Sequence, residues 1–174
     1  MSGRRGYAVL LRGVNVGGNR KVPMAELRSL LEELGFTEVR TLLQSGNAVL
    51  RGSGDVAGDV ERALARRYGV EIRCLALTRE ELQSAADGDP LTDQADNGSR
   101  AVVLWLFDDI PEPALVEELD PGRIAVRGRL VYQWCPDGIS NSPDVAALIR
   151  RNWKVATTAR NRNTVAKLLA AIPD

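Results

Sequence analysis

The order of strand-length and helix-length segments in the first half of the chain constrains its fold more than any other feature. Short apolar runs at 7–12, 38–43, 48–51 and 70–77 are typical of strands. Apolar residues recur at helical spacing over 24–34 and over 56–68, between the first and second runs and between the third and fourth. The resulting order, βαββαβ, predicts an α+β protein whose first half is a ferredoxin-like unit.

The ends of these predicted helices carry recognisable stop and start residues. Asp55 is a typical N-cap for the second helix, and Gly69 ends it. Thr78 and Glu81 have the spacing of a capping box, which predicts a further short helix through Ala86.

The second half predicts a similar order without a closing strand. A strand at 101–107, a helix at 111–119, a hairpin of 123–126 with 130–135, and helices at 144–151 and about 159–171 give βαββαα. We therefore expect a ferredoxin-like subdomain at 1–87, a connecting segment at 88–100 and a second α+β subdomain at 101–174. One compact domain formed by both halves is the alternative.

Composition excludes several classes of function. The chain has no histidine, which excludes Ser-His-Asp and Cys-His catalysis and the usual zinc sites. We expect no metal and no cofactor, and the sequence names no catalytic residue. Net charge is zero, with 23 basic and 23 acidic residues, which weakens a general affinity for nucleic acid.

The chain has no apolar stretch of membrane-spanning length and no signal-peptide pattern, so we expect a cytoplasmic protein without a membrane partner. Its two cysteines are far apart and suggest no disulfide framework. We expect Cys74 in the core. Cys135 precedes Pro136 at a strand end, where we expect it to be more exposed.

Topology predicts that two polar segments meet at one end of the first sheet. The right-handed crossover rule brings the loop after strand one, residues 12–21, to the same end as the hairpin turn at 44–47. Cations, amides and glycines in these segments suit an anionic ligand. A long connection whose Asn and Gly residues only satisfy turn geometry is the alternative.

The motif Leu-Leu-Arg-Gly-Val-Asn-Val-Gly-Gly at 10–18, with 21–24, 35–36, Thr41 and 44–47, resembles the bacterial family of unknown function "DUF 1697". The resemblance covers nearly the whole length, including 160–161, 163–165 and 167–168. It implies a two-part α+β fold with a ferredoxin-like portion and no known activity. Carried over position by position, it implies the ligand-binding candidates Arg12, Asn15, Gly17, Gly18, Lys21, Gln44, Ser45, Asn47, Arg160, Asn161 and Asn163.

The chain departs from the family pattern at two places. Arg162 stands where an aromatic residue is usual, and Pro143 stands where a basic residue is usual. The sequence therefore leaves open whether the C-terminal Arg and Asn residues join the loops of the first half.

Three functions compete at this point. The first is binding of a phosphate-bearing or anionic ligand, a small molecule such as a nucleotide or a nucleic acid, at the shared end of the first sheet. The second is a histidine-free small-molecule enzyme at the same place. The third is a structural or interaction protein. The sequence does not decide among them, and it does not predict an oligomeric state.

Overall fold

The computed structural model describes residues 3–16 and 20–174. Within those residues the chain forms eight strands, six α-helices and one short 3-10 helix at Ile139–Asn141. The strands are β1 (Arg5–Leu11), β2 (Thr37–Leu42), β3 (Asn47–Gly52), β4 (Cys74–Thr78), β5 (Ala101–Leu106), β6 (Ile124–Arg127), β7 (Leu130–Trp134) and β8 (Thr157–Asn161). The helices are α1 (Met24–Glu33), α2 (Val56–Tyr68), α3 (Arg79–Asp87), α4 (Pro113–Glu117), α5 (Val145–Trp153) and α6 (Arg162–Ala171).

The first sheet has the strand order β2-β3-β1-β4, with every neighbouring pair antiparallel. Helices α1 and α2 connect β1 to β2 and β3 to β4, so the predicted ferredoxin-like βαββαβ unit is confirmed. Val9 and Leu11 of β1 share one apolar core with Leu27 of α1 and Leu64 of α2. β4 is shorter than the predicted 70–77, since the strand begins only at Cys74.

The predicted helix ends of the first half are confirmed by their hydrogen bonds. The Asp55 carboxylate accepts from the Gly58 amide at 3.0 Å, and Gly69 takes a left-handed φ of 68°. The capping box is reciprocal: the Thr78 amide donates to the Glu81 carboxylate at 2.9 Å, and the Glu81 amide donates to the Thr78 hydroxyl at 3.2 Å.

The second sheet repeats the first, with the order β6-β7-β5-β8 and only antiparallel pairs. The expected βαββαα order is therefore wrong at one element, because residues 157–161 form a closing strand and α6 begins only at Arg162. The sequence does not predict this strand, because Thr-Thr-Ala-Arg-Asn has no apolar alternation. Its polar residues Thr157, Thr158 and Arg160 are nevertheless buried.

The chain divides into two compact units. One comprises the described residues up to Gln83 together with Lys167–Asp174, and the other comprises Ser84–Ala166. In the first unit, the Arg79 guanidinium donates to the carbonyl of Leu169 at 3.1 Å and also to the carbonyl of Ile172. In the second unit, β5, β6 and β7 pack one apolar face against Val116 of α4 and Ile149 of α5.

Candidate functional site

The candidate site lies where β1 ends. The Leu11 amide donates to the Gly46 carbonyl at 2.8 Å, and the Arg12 amide donates to the Arg73 carbonyl at 2.9 Å. The loop after β1 therefore lies beside both the β2–β3 turn and the start of β4. We call this region, the described residues of 12–23 with the turn at 43–46, the loop end.

Asn15 joins the two segments of the loop end. Its side-chain amide donates to the carbonyls of Val22 at 2.9 Å and Gln44 at 2.7 Å, while its side-chain oxygen accepts from the Val22 amide at 2.9 Å. The convergence of the loop and the turn, expected from topology alone, is observed in this contact. Because the Asn15 carboxamide is used by the backbone, its place in the site is that of a positioning residue.

The turn is held from inside by Asn47 and Gly46. Asn47 is fully buried, and its amide donates to the Leu42 carbonyl at 3.0 Å and to the Ser45 hydroxyl at 2.8 Å. Gly46 has a φ of 84°, and a Cβ there would lie 2.5 Å from Val14. Only glycine fits this close approach. Gln44 and Ser45 remain exposed at the surface of the turn.

An open cleft of about 570 Å³ lies at the loop end and is lined by Arg12, Gly13, Val16 and Arg20. Arg12 is half-buried, whereas Arg20 is exposed. Both side chains are cationic guanidinium groups that present planar arrays of donors. The cleft is therefore suited to an anion that accepts several hydrogen bonds.

The other predicted residues of the loop are Lys21, Gly17 and Gly18. Lys21 is exposed and directly follows Arg20, although it is not among the residues that line the cleft. Gly17 and Gly18 lie outside the described residues. Arg20 was not singled out from the sequence, because nothing in its local pattern distinguishes it from other loop arginines.

The C-terminal candidates lie in the second compact unit. Arg160 of β8 is 7% exposed and donates to the Thr158 hydroxyl and the Ala159 carbonyl, both at 2.8 Å. Burial lowers its pKa to about 10. The Asn161 side chain accepts from the Thr164 amide at 2.9 Å and thereby caps the start of α6. Asn163 is exposed, with its carboxamide close to Gly98.

Neither cysteine has the environment of a nucleophile. Burial raises the pKa of the Cys74 thiol to about 12, helped by the nearby Glu61 carboxylate. The expectation that Cys135 is more exposed is wrong, since the residue is fully buried and its pKa is also raised by burial. Both thiols are therefore protonated at neutral pH.

The described residues contain neither a metal-binding cluster nor a membrane-spanning helix. No group of three or more Cys, Asp or Glu side chains lies close enough to hold a metal ion in that part of the chain. No helix there is both long and apolar enough to span a membrane.

Comparisons with known proteins extend these observations. The model of a family described as "Protein of unknown function (DUF1697)" matches residues 5–132. The structure of the conserved bacterial protein SP0830 from Streptococcus pneumoniae is similar over 97% of this chain and 98% of that one, with 25% sequence identity and a TM-score of 0.73. None of the curated proteins matches the sequence.

Proposed function

We propose that this chain, which belongs to the DUF1697 family, binds a phosphate-bearing ligand at the loop end. The description of the family assigns no activity, so the proposal rests on the chain's own residues. The observation that carries the proposal is the presence of Arg12 and Arg20 on the same cleft. Two guanidinium groups around one open space form the arrangement that proteins use to bind phosphate.

The cleft also offers contacts for the rest of such a ligand. Its volume of about 570 Å³ is within the range of small-molecule sites. Val16 lines it with 62% of its surface exposed, which provides an apolar contact for a sugar or a base. These features favour a nucleotide, free or within a nucleic acid, over inorganic phosphate alone.

The positioning contacts support the same proposal. Groups that are held in place before binding lose less conformational entropy when a ligand binds. The Asn15 side chain closes the loop through two hydrogen bonds with Val22 and holds it against the turn through one with the Gln44 carbonyl. The loop end is thus organised by its own backbone contacts, and the lining arginines extend from that framework.

The test measures binding of the full chain to three probes at two salt concentrations. The probes are pyrophosphate and ATP, followed by calorimetry, and a labelled RNA oligonucleotide, followed by fluorescence anisotropy. We expect binding that weakens as salt rises, and Arg12→Ala or Arg20→Ala should each weaken it roughly tenfold or more, since one hydrogen-bonded charge contributes about 1.5–3 kcal/mol. A preference for ATP over RNA identifies a free nucleotide as the ligand, and the reverse identifies a nucleic acid.

Arg28→Ala is the matched control, because Arg28 is an exposed arginine of the same unit whose partner is Glu32 on the same helix. It should bind all three probes as the native chain does. The proposal is overturned if the native chain binds none of the probes in a salt-sensitive way, or if Arg28→Ala weakens binding as much as Arg12→Ala.

A further inference from the structure

Gln133 is a polar residue on the apolar face of the second sheet. It lies on β7, and the residues two positions before and after it, on the same face, are Val131 and Cys135. Its partners on the neighbouring strands are Val102 and Ile124. All four of these neighbours belong to the apolar core of the second unit. Only 6% of Gln133 is exposed. A carboxamide in such a place costs free energy unless its groups are satisfied.

The repeated topology shows that the fold does not require a polar residue at this position. The amide of Leu11, at the end of β1, donates to the Gly46 carbonyl just before β3. In the same way, the amide of Leu106, at the end of β5, donates to the Arg129 carbonyl just before β7. The two registers then align Gln133 with Leu50 of the first unit. Leu50 is fully buried in the first core. Packing of the fold therefore does not explain why residue 133 is a glutamine.

Only half of the Gln133 carboxamide is used by the protein. Its nitrogen donates to the Pro143 carbonyl at 2.9 Å, which fixes the orientation of the group. Among the described residues, no hydrogen bond reaches its side-chain oxygen. Every buried side-chain oxygen or nitrogen that is sealed from solvent in that part of the chain has a partner, so this oxygen is not one of them. The oxygen is therefore open to solvent, and we infer that it faces the cavity that Gln133 lines.

That cavity has a volume of about 370 Å³ and lies at the start of α5. Val102, Leu104 and Ala159 of the sheet form an apolar wall. Ser140, Ser142 and Asp144 also line it, and no cationic side chain is among its described lining residues. The cavity thus combines apolar surface with acceptor oxygens, which is unsuitable for an anion.

We propose that this cavity is a binding site for a small molecule that carries an apolar body and an N–H donor, as a carboxamide or an amine does. The donor binds the free oxygen of Gln133, and the apolar body lies against Val102, Leu104 and Ala159. The proposal is independent of phosphate binding, because its residues belong to the other compact unit.

The test follows amide signals of the full chain by NMR during titration with benzamide, benzylamine and acetophenone. Acetophenone matches benzamide in shape but has no N–H group. We expect benzamide or benzylamine to shift the Gln133 side-chain signal and the backbone signals of residues 139–146. Acetophenone should bind at least tenfold more weakly than the better of these two, because it leaves the Gln133 oxygen unpaired.

Two variants separate the site from nonspecific binding. Gln133→Leu removes the acceptor oxygen. Ala159→Leu keeps that oxygen but places a larger side chain in the cavity. Each variant should reduce binding at least tenfold. Ala159 is exposed on the sheet, so the second variant decides the matter if the first does not fold. The proposal is overturned if neither donor probe shifts these signals, if acetophenone binds as tightly as they do, or if Ala159→Leu leaves binding unchanged.

Discussion

Replacing Asn15 tests whether the loop end is held together by one side chain. Asn15→Gly removes all three of its side-chain hydrogen bonds. Each such bond contributes about 1 kcal/mol net, so we expect the loop to lose roughly 2–3 kcal/mol of local stability. Asn15 has a φ of 56°, where glycine has no steric cost. Asn15→Ala should therefore cost about 1 kcal/mol more than Asn15→Gly.

Native-state hydrogen exchange measures this effect at one amide. The Val22 amide donates to the Asn15 side-chain oxygen. A loss of ~2 kcal/mol should speed its exchange roughly 30-fold in Asn15→Gly. The Leu27 amide, which donates to the Pro23 carbonyl at 3.0 Å, is the internal control and should keep its native rate. An unchanged exchange rate at the Val22 amide, or an equal acceleration at the Leu27 amide, would show that Asn15 does not hold the loop end together.

Three further predictions concern packing, titration and charge. Gly6→Ala should lower the melting temperature, because a Cβ there would lie 1.9 Å from the Pro173 carbonyl oxygen, whereas Gly3→Ala has open space and should not. The thiol of Cys74 has its pKa raised from 9.0 to about 12, so its stabilising contribution is complete below pH 9 and is lost between pH 9 and 12. Urea unfolding should therefore show a smaller alkaline loss of stability in Cys74→Ala than in the native chain, and an equal loss would contradict the raised pKa. Arg129→Ala should leave phosphate binding unchanged, because this arginine already pairs with Asp109 at 2.9 Å; calorimetry with pyrophosphate checks this, and weaker binding would place the anion elsewhere.

The first unit was predictable because its local signals agree with its packing. Apolar residues at helical spacing, the Asp55 cap and the Thr78–Glu81 capping box each appear in the sequence and in the hydrogen bonds. β8 was not predictable in this way. Its two threonines suit a strand, but the segment has no apolar alternation, and its burial is set by the neighbouring strand β5.

The candidate site was predictable in place but not in detail. Topology alone brought the loop and the turn together. Sequence pattern did not reveal that Asn15 and Asn47 would be used by the backbone, since side-chain hydrogen bonds depend on distances that only the fold sets. For the same reason, Arg20 and Gln133 carried no local signal that separated them from other polar residues.

The repeated topology allows the same end of the sheet to be compared between the two units. At the end of β5, the amides of Leu106 and Phe107 donate to the carbonyls of Arg129 and Ala156, in the same pattern as Leu11 and Arg12 with Gly46 and Arg73. The second unit thus has Phe107 and Ala156 where the first has two arginines. Arg129, which also lies at this end, is paired with Asp108 and Asp109, and the hydrogen bond with Arg129 lowers the pKa of the Asp109 carboxyl. Two ends with one backbone geometry therefore carry different side chains, so the proposed affinity for phosphate depends on residues such as Arg12 that the ferredoxin-like fold itself does not require.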